Sequence, residues 1–469
     1  MKTLASSVRI LAIALAAATF PALAQAPPKL DLAVSAEVDK IVREVLAATG
    51  VPSASVALVK DGQIVSLQAW GDAKLSPRRP ARPDMRYSIG SVSKQFTAAA
   101  VLLLAEDGKL SLDDPVSRFL PDVTRAGDVR IRQLLSHTSG YRDYWPQDYV
   151  PPSMRQPATA GLILDRWARQ PLDFEPGTQY QYSNTGYVIA GLIVEKASGT
   201  PLLDVLSQRV FAPLGMKSVV SIDRERLADS DPVAYQRFGL GPLRPAPKEG
   251  KGWLFAAAEL AMTPEDLARW NISVIERRLL EPDSYREMET AVRLKNGLGI
   301  GYGLGVAATA EAGHRVISHG GEVSGFTASN MIFPDDRAAI TVLVNQDASD
   351  AASEISERIA PVLLGKTRAA VAAQDRARRI IEGMQQGKLD RSLYTDNANS
   401  YFTEQAIRDL ADGLAPLGKP VEVKQTRQSD RGGMTFRLLR VKFPGRTLEI
   451  WERDMPDGKI EQFQVMANE

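Results

Sequence analysis

Ser91 and Lys94 stand three residues apart in the run YSIGSVSKQFTAAAVLLLAEDGKL, residues 87–110. On a helix that spacing sets both side chains on one face, roughly 5–6 Å apart at Cβ. A serine hydroxyl is a weak nucleophile at neutral pH and must lose its proton as it attacks. A lysine one turn away, desolvated by apolar neighbours, is a group that can help take it. Residues 98–105 are almost wholly apolar, so the helix that carries the pair is expected to be buried on most of its circumference. Ser93 precedes Lys94 directly and points off the lysine's face.

Two further clusters have chemistry to offer. Tyr182-Ser183-Asn184 lies where a loop enters an apolar helix. A tyrosine there can shuttle a proton between a serine and a leaving group. Asn184 carries both a donor and an acceptor, suited to holding an ammonium and a substrate amide together. His319-Gly320-Gly321 reads as the end of a strand and the start of a glycine-rich turn, where a substrate backbone can lie close and a following N–H can face an oxyanion. Tyr180, Tyr187 and Tyr302 read as exposed tyrosines, and His137 as a structural histidine.

The elements around these clusters follow from pattern. Apolar residues at 38, 41, 42, 45 and 46 have a helical period that Gly50 ends. Residues 53–59 and 64–70 read as a hairpin turning at Asp61-Gly62. A strand-like approach at 179–182 leads to a helix over 185–197. Thr263 followed by Pro264, Glu265 and Asp266 is a helix start with a hydroxyl cap, proline at its first position and acids in its first turn. Glycines at 297, 299, 301, 303 and 305 predict a strand with close backbone approach. Strands over 316–318, 325–333 and 338–344 and a helix over 353–364 close this part. Beyond it, helices over 371–385 and 404–414 precede strands over 421–425, 434–443, 447–452 and 460–465. Helices followed by antiparallel strands predict a small α+β domain.

With 469 residues the chain has ample material for a core in more than one domain. A formal charge of +1 gives no electrostatic case for nucleic acid. The absence of cysteine removes disulfides, thiol catalysis and cysteine metal sites, and three histidines leave little for a histidine metal centre. No metal and no cofactor is expected. Lys2 and Arg9 before an apolar run at 10–20, with Ala22 and Ala24 as small residues, read as a signal peptide over 1–24. That run is too short to span a bilayer, so a periplasmic protein with no membrane span after leader removal is expected.

Taken together, SVSK, YSN and HGG, in that order, resemble the motifs of the serine β-lactamase-related hydrolases. This group includes class C β-lactamases, D-alanyl-D-alanine carboxypeptidases, D-aminopeptidases and esterases. Supporting matches are GKLSLDDPVSRFLP, IRQLLSHTSG, LGM and GYGLGV. The resemblance implies a mixed α/β (α+β) penicillin-binding-protein-like transpeptidase fold over 33–365: an antiparallel sheet flanked by helices, with a helical subdomain. It implies Ser91 as nucleophile, Lys94 as its partner, and Tyr182 as base and acid toward the leaving group; either Lys94 or Tyr182 can take the first proton. Asn184, His319, Gly320, Gly321 and Glu322 then bind substrate, with the N–H groups of Ser91 and Glu322 as the oxyanion hole. The implied activity is hydrolysis of a small-molecule or peptide substrate, a D-amino-acid peptide or carboxylic ester, through an acyl-enzyme. β-Lactamase or D-alanyl-D-alanine carboxypeptidase action is the alternative, and an idle penicillin-binding-like scaffold is the non-enzymatic one. In the third motif His319 stands where β-lactamases carry lysine, and Glu322 adds a carboxylate. Both speak against substrates bearing a carboxylate. Residues 371–469 resemble a nuclear-transport-factor-2-like domain, which allows a homodimer.

Overall fold

The computed structural model describes residues 29–147, 149–311, 313–365 and 368–467. The leader-like segment 1–24 lies outside them.

Seven strands make one antiparallel sheet in the order Arg78–Pro80, Gln63–Leu75, Ser53–Lys60, Ala338–Val344, Phe326–Phe333, His314–Val323 and Ala307–Glu311. The hairpin turns at Asp61 and Gly62, both at positive φ. The central strands are buried on both faces, and their alternation divides two cores. Ala54, Val56 and Leu58 pack with Ile340, Val342 and Val344 under the helices Leu32–Thr49 and Ala351–Leu364. Ala57, Val59 and Leu343 face the opposite way, into the core around the helix Lys94–Glu106. A period of two thus sends adjacent residues to different cores, which fixes register.

Residues 94–104 of that central helix are all buried. It packs against Asn184–Ser198, which is capped by Ser183 at one end and by Gly199 in the left-handed conformation at the other. Thr263 accepts from the Asp266 N–H and starts the helix Pro264–Ile275 as the sequence predicts.

The structure corrects several expectations. Residues 297–305 form bends and isolated bridges at Gly299 and Tyr302 in place of a strand, with Gly297, Gly301 and Gly305 at positive φ, and the neighbouring strand begins only at Ala307. The close approach is nonetheless real: a Cβ on Gly305 would lie 2.9 Å from the Lys94 carbonyl oxygen. Residues 179–182 are an extended loop without strand pairing. His319-Gly320-Gly321 does not end a strand. It lies inside His314–Val323 and pairs in register with Asn330, Ser329 and Ala328, and the turn comes at Ser324 and Gly325. Neither glycine of the motif has positive φ. Of the three tyrosines read as exposed, Tyr187 and Tyr302 are buried.

The C-terminal segment has helices Arg368–Met384, Asp396–Tyr401 and Glu404–Leu414. They precede a four-stranded antiparallel sheet, Glu422–Arg431, Met434–Lys442, Thr447–Asp454 and Ile460–Ala467. Leu439, Val441, Ile450 and Phe463 gather with Ile381 and Tyr394 in a core of their own. The helix Asp396–Tyr401 is too short and polar to leave a periodic signal.

Candidate active site

Ser91 lies in a single 3₁₀ turn, Gly90–Ser93, that runs into the central helix, while Lys94 opens the helix proper. Gly90 takes φ +50° to start the turn. The Lys94 ammonium is fully buried, and its Nζ lies 3.0 Å from Ser91 Oγ, 2.8 Å from Asn184 Oδ1 and 3.0 Å from the Ala257 carbonyl oxygen. Two of these partners are carbonyl oxygens, which accept only. They take two N–H bonds, and the 3.0 Å contact with Ser91 Oγ sets another position of the nitrogen against the nucleophile. That position donates to Oγ when the amine is charged and receives the Ser91 proton when it is neutral. Burying an ammonium without such partners would cost several kcal/mol.

Asn184 is itself fixed. Its backbone N–H donates to Asp143 Oδ1 at 2.9 Å and its Nδ2 donates to Oδ2 at 3.2 Å. The carboxylate can only accept, so the amide must turn its oxygen to Lys94. Burial pushes the Asp143 carboxyl above the usual carboxylate range, against the N–H groups of Trp145 and Asn184 and the Lys94 charge. Ser93, the rival hydroxyl, accepts from the Leu260 N–H at 3.1 Å and is buried.

Tyr182 stacks on His137, with ring centroids 4.1 Å apart at 30°, and the Lys94 ammonium sits 4.8 Å from the Tyr182 centroid. The third-motif strand runs alongside the nucleophile turn. A Cβ on Gly321 would lie 1.9 Å from the Ile89 carbonyl oxygen and 3.1 Å from the Ser91 nitrogen. A Cβ on Gly90 would lie 2.5 Å from the Glu322 nitrogen. The backbone segments that carry the Ser91 and Glu322 nitrogens are therefore in direct contact. The Glu322 carboxylate accepts from the Ala348 N–H at 2.8 Å and borders the cleft.

These side chains line one cleft of about 660 Å³. Its wall includes Ser91, Tyr182, Asn184, His319, Gly320, Gly321 and Glu322, so every residue that the family resemblance places at the site, except the buried Lys94, reaches it. Among the described residues lining it, Asp143, Glu322 and Asp350 are acidic and none is arginine or lysine. No cluster among the described residues could hold a metal ion. Nor is any described helix long and apolar enough to cross a membrane.

Sequence reasoning missed Asp143, the Ala257 carbonyl and Tyr302. The tyrosine, within GYGLGV, reads in the sequence only as an exposed aromatic, with no part in the site. It is buried, with its hydroxyl between His137 and His319.

Residues 38–363 match the family described as Beta-lactamase. The chain belongs to the β-lactamase family. A D-aminopeptidase of Brucella anthropi is 32% identical over 67% of this chain and 59% of its own length. The chain thus spans about three fifths of that curated relative. The D-stereospecific amidohydrolase from a Streptomyces species is 26% identical over 72% of this chain and 100% of its own, with a TM-score of 0.62. An octameric penicillin-binding protein homologue from Pyrococcus abyssi, 22% identical with a TM-score of 0.61, covers 92% of this chain and 99% of its own, a likeness of fold.

Proposed function

We propose that the protein hydrolyses the amide bond of D-amino-acid amides or short D-peptides that carry a free α-ammonium group, through an acyl-enzyme on Ser91. The observation that carries this reading is the wall of the cleft, which among the described residues is acidic at Asp143, Glu322 and Asp350 and holds no arginine or lysine. Carboxylates attract an ammonium and repel the carboxylate common to β-lactams and D-alanyl-D-alanine termini. The similarity to D-aminopeptidase and D-stereospecific amidohydrolase supports the same class.

In this mechanism Ser91 Oγ attacks the amide carbon while its proton passes to the pair formed by Lys94 and Tyr182. The N–H groups of Ser91 and Glu322 receive the oxyanion. Collapse breaks the C–N bond, and the amine leaves with a proton returned through Tyr182. Water then attacks the ester on Ser91 and releases the acid. An ester substrate would follow the same course with an alcohol as leaving group.

The leader-like sequence at 1–24 supports export, and the C-terminal helices and sheet are read as a nuclear-transport-factor-2-like module that pairs two copies. Size-exclusion chromatography of the full chain against one ending at Leu364 tests the pairing. The substrate reading is tested with D-phenylalanine amide and its N-acetyl derivative. N-acetylation removes the ammonium and is expected to lower kcat/KM at least tenfold, a loss of about 1.4 kcal/mol of transition-state binding. Equal rates would reject an ammonium requirement.

A further inference from the structure

His137, Tyr302 and His319 form a line of hydrogen bonds whose direction is dictated at both ends. At one end the Ser183 backbone N–H donates to His137 Nδ1 at 3.1 Å. That nitrogen must be bare, so a neutral His137 carries its proton on Nε2, which lies 3.3 Å from the Tyr302 oxygen. At the other end His319 Nδ1 lies 2.5 Å from the Gly320 carbonyl oxygen, a contact that only an N–H can make. A neutral His319 therefore has a bare Nε2, and the Tyr302 hydroxyl, 2.8 Å away, donates to it. Each link then has one proton and one acceptor. A proton added to His137 would face the Ser183 N–H as a second donor, and one added to His319 would force the Tyr302 hydroxyl to give up that bond and turn toward Tyr187, its other side-chain partner.

We propose that Tyr302 and His137 are positioning residues that lock His319 as the neutral Nδ1–H tautomer and thereby keep a cation out of the third-motif wall, setting the enzyme against substrates with a carboxylate. The lock fills both ring nitrogens of His319 with protein partners, so the ring presents an uncharged wall to the cleft. The charged and titratable groups around it comprise Lys94 from the central helix, Tyr182 across the cleft, and Asp143, Glu322 and Asp350 on the wall. Burial first, and the Lys94 charge second, bring the His319 imidazole down to about 4, the direction the line of bonds requires. Burial likewise holds His137 well below the ordinary value, with Lys94 and His319 adding to the effect. The proposal deepens the substrate reading above, but its first test is independent of any substrate.

That test is nitrogen-15 NMR of the full chain labelled at histidine, where only three residues contribute. His137 is expected as the Nε2–H tautomer and His319 as the Nδ1–H tautomer, both unchanged from pH 8 to about 5.5. In Tyr302→Phe the His319 signal is expected to titrate within that range. The kcat/KM ratio of carboxylate-bearing to neutral substrates should then rise about tenfold as the pH falls, whereas it stays flat in the wild type. A wild-type His319 that titrates near 6.5, or carries its proton on Nε2, would overturn the proposal whether or not the variant folds. A folded Tyr302→Phe with lower kcat but an unaltered His319 signal and a flat ratio would overturn it too.

Discussion

Gly321 faces the Ile89 carbonyl oxygen so closely that a Cβ on the glycine would stand 1.9 Å from it. The obstacle is backbone, and that backbone leads directly into the nucleophile turn, so it cannot yield without moving Ser91. Gly320, one residue earlier, would place its Cβ no nearer than 3.8 Å to the Ala328 carbonyl oxygen. The two glycines of one motif thus do different work.

Gly321→Ala is therefore expected to lower stability by about 1–3 kcal/mol and to abolish measurable turnover. Gly320→Ala should leave stability within about 0.5 kcal/mol of the parent. Urea denaturation of the two variants checks the contrast, and equal effects would contradict the packing described here.

Asn184→Leu removes one of the acceptors of the buried Lys94 ammonium and leaves Asp143 without its amide partner. An unsatisfied buried group costs about 1–3 kcal/mol, so kcat should fall on the order of 10²-fold. Steady-state kinetics checks it; a variant with unchanged kcat would remove Asn184 from the activation of Ser91.

Glu322→Gln keeps an acceptor for the Ala348 N–H and removes only the charge. Selectivity for an ammonium-bearing amide over its N-acetyl form should fall about tenfold, and Glu322→Lys should reduce it further. Unchanged relative rates would assign the acidic contribution to Asp143 and Asp350.

The histidine wall also predicts a pH dependence of stability. His319 is held at about 4 in the folded protein against a reference near 6.5. Between those values the unfolded chain binds the extra proton, so the contribution is complete above about 6.5 and is lost as pH falls toward 4. The slope for this ring is at most about 1.4 kcal/mol per pH unit. Buried carboxyls raised by desolvation, such as Asp143 and Glu259, act in the opposite direction over part of this range. The difference in unfolding free energy between wild type and His319→Gln isolates the imidazole. It should shrink as pH falls from 6.5 to 4; a constant difference would mean that the folded ring takes up its proton as the unfolded one does.

What could be read from the sequence was local. The serine–lysine spacing, the Asp61-Gly62 turn and the Thr263 cap depend on neighbours within a few residues, and the structure has each of these local features. The family motifs further indicated that Ser91, Tyr182, Asn184 and His319 share a site, and the cleft brings them together. What escaped was set by long-range contact. Gly320-Gly321 looks like a turn in sequence because glycine serves turns and close approaches equally, and only the proximity of Ile89 distinguishes them. Tyr302 looks like a surface aromatic until two histidines from distant segments close on its hydroxyl. Asp143 lies outside any periodic pattern, and its role appears only when the Asn184 amide is oriented.

The central claim is that Ser91 carries the acyl group in the hydrolysis of D-amino-acid amides. Intact-protein mass spectrometry of rapidly quenched mixtures with D-phenylalanine amide or its p-nitrophenyl ester tests it most directly. The account predicts a mass increase of one acyl group on the wild type, located by peptide mapping to Ser91, with both the adduct and amine release absent from Ser91→Ala. Amide hydrolysis that persists in Ser91→Ala, or an acyl group mapped to another residue, would contradict it.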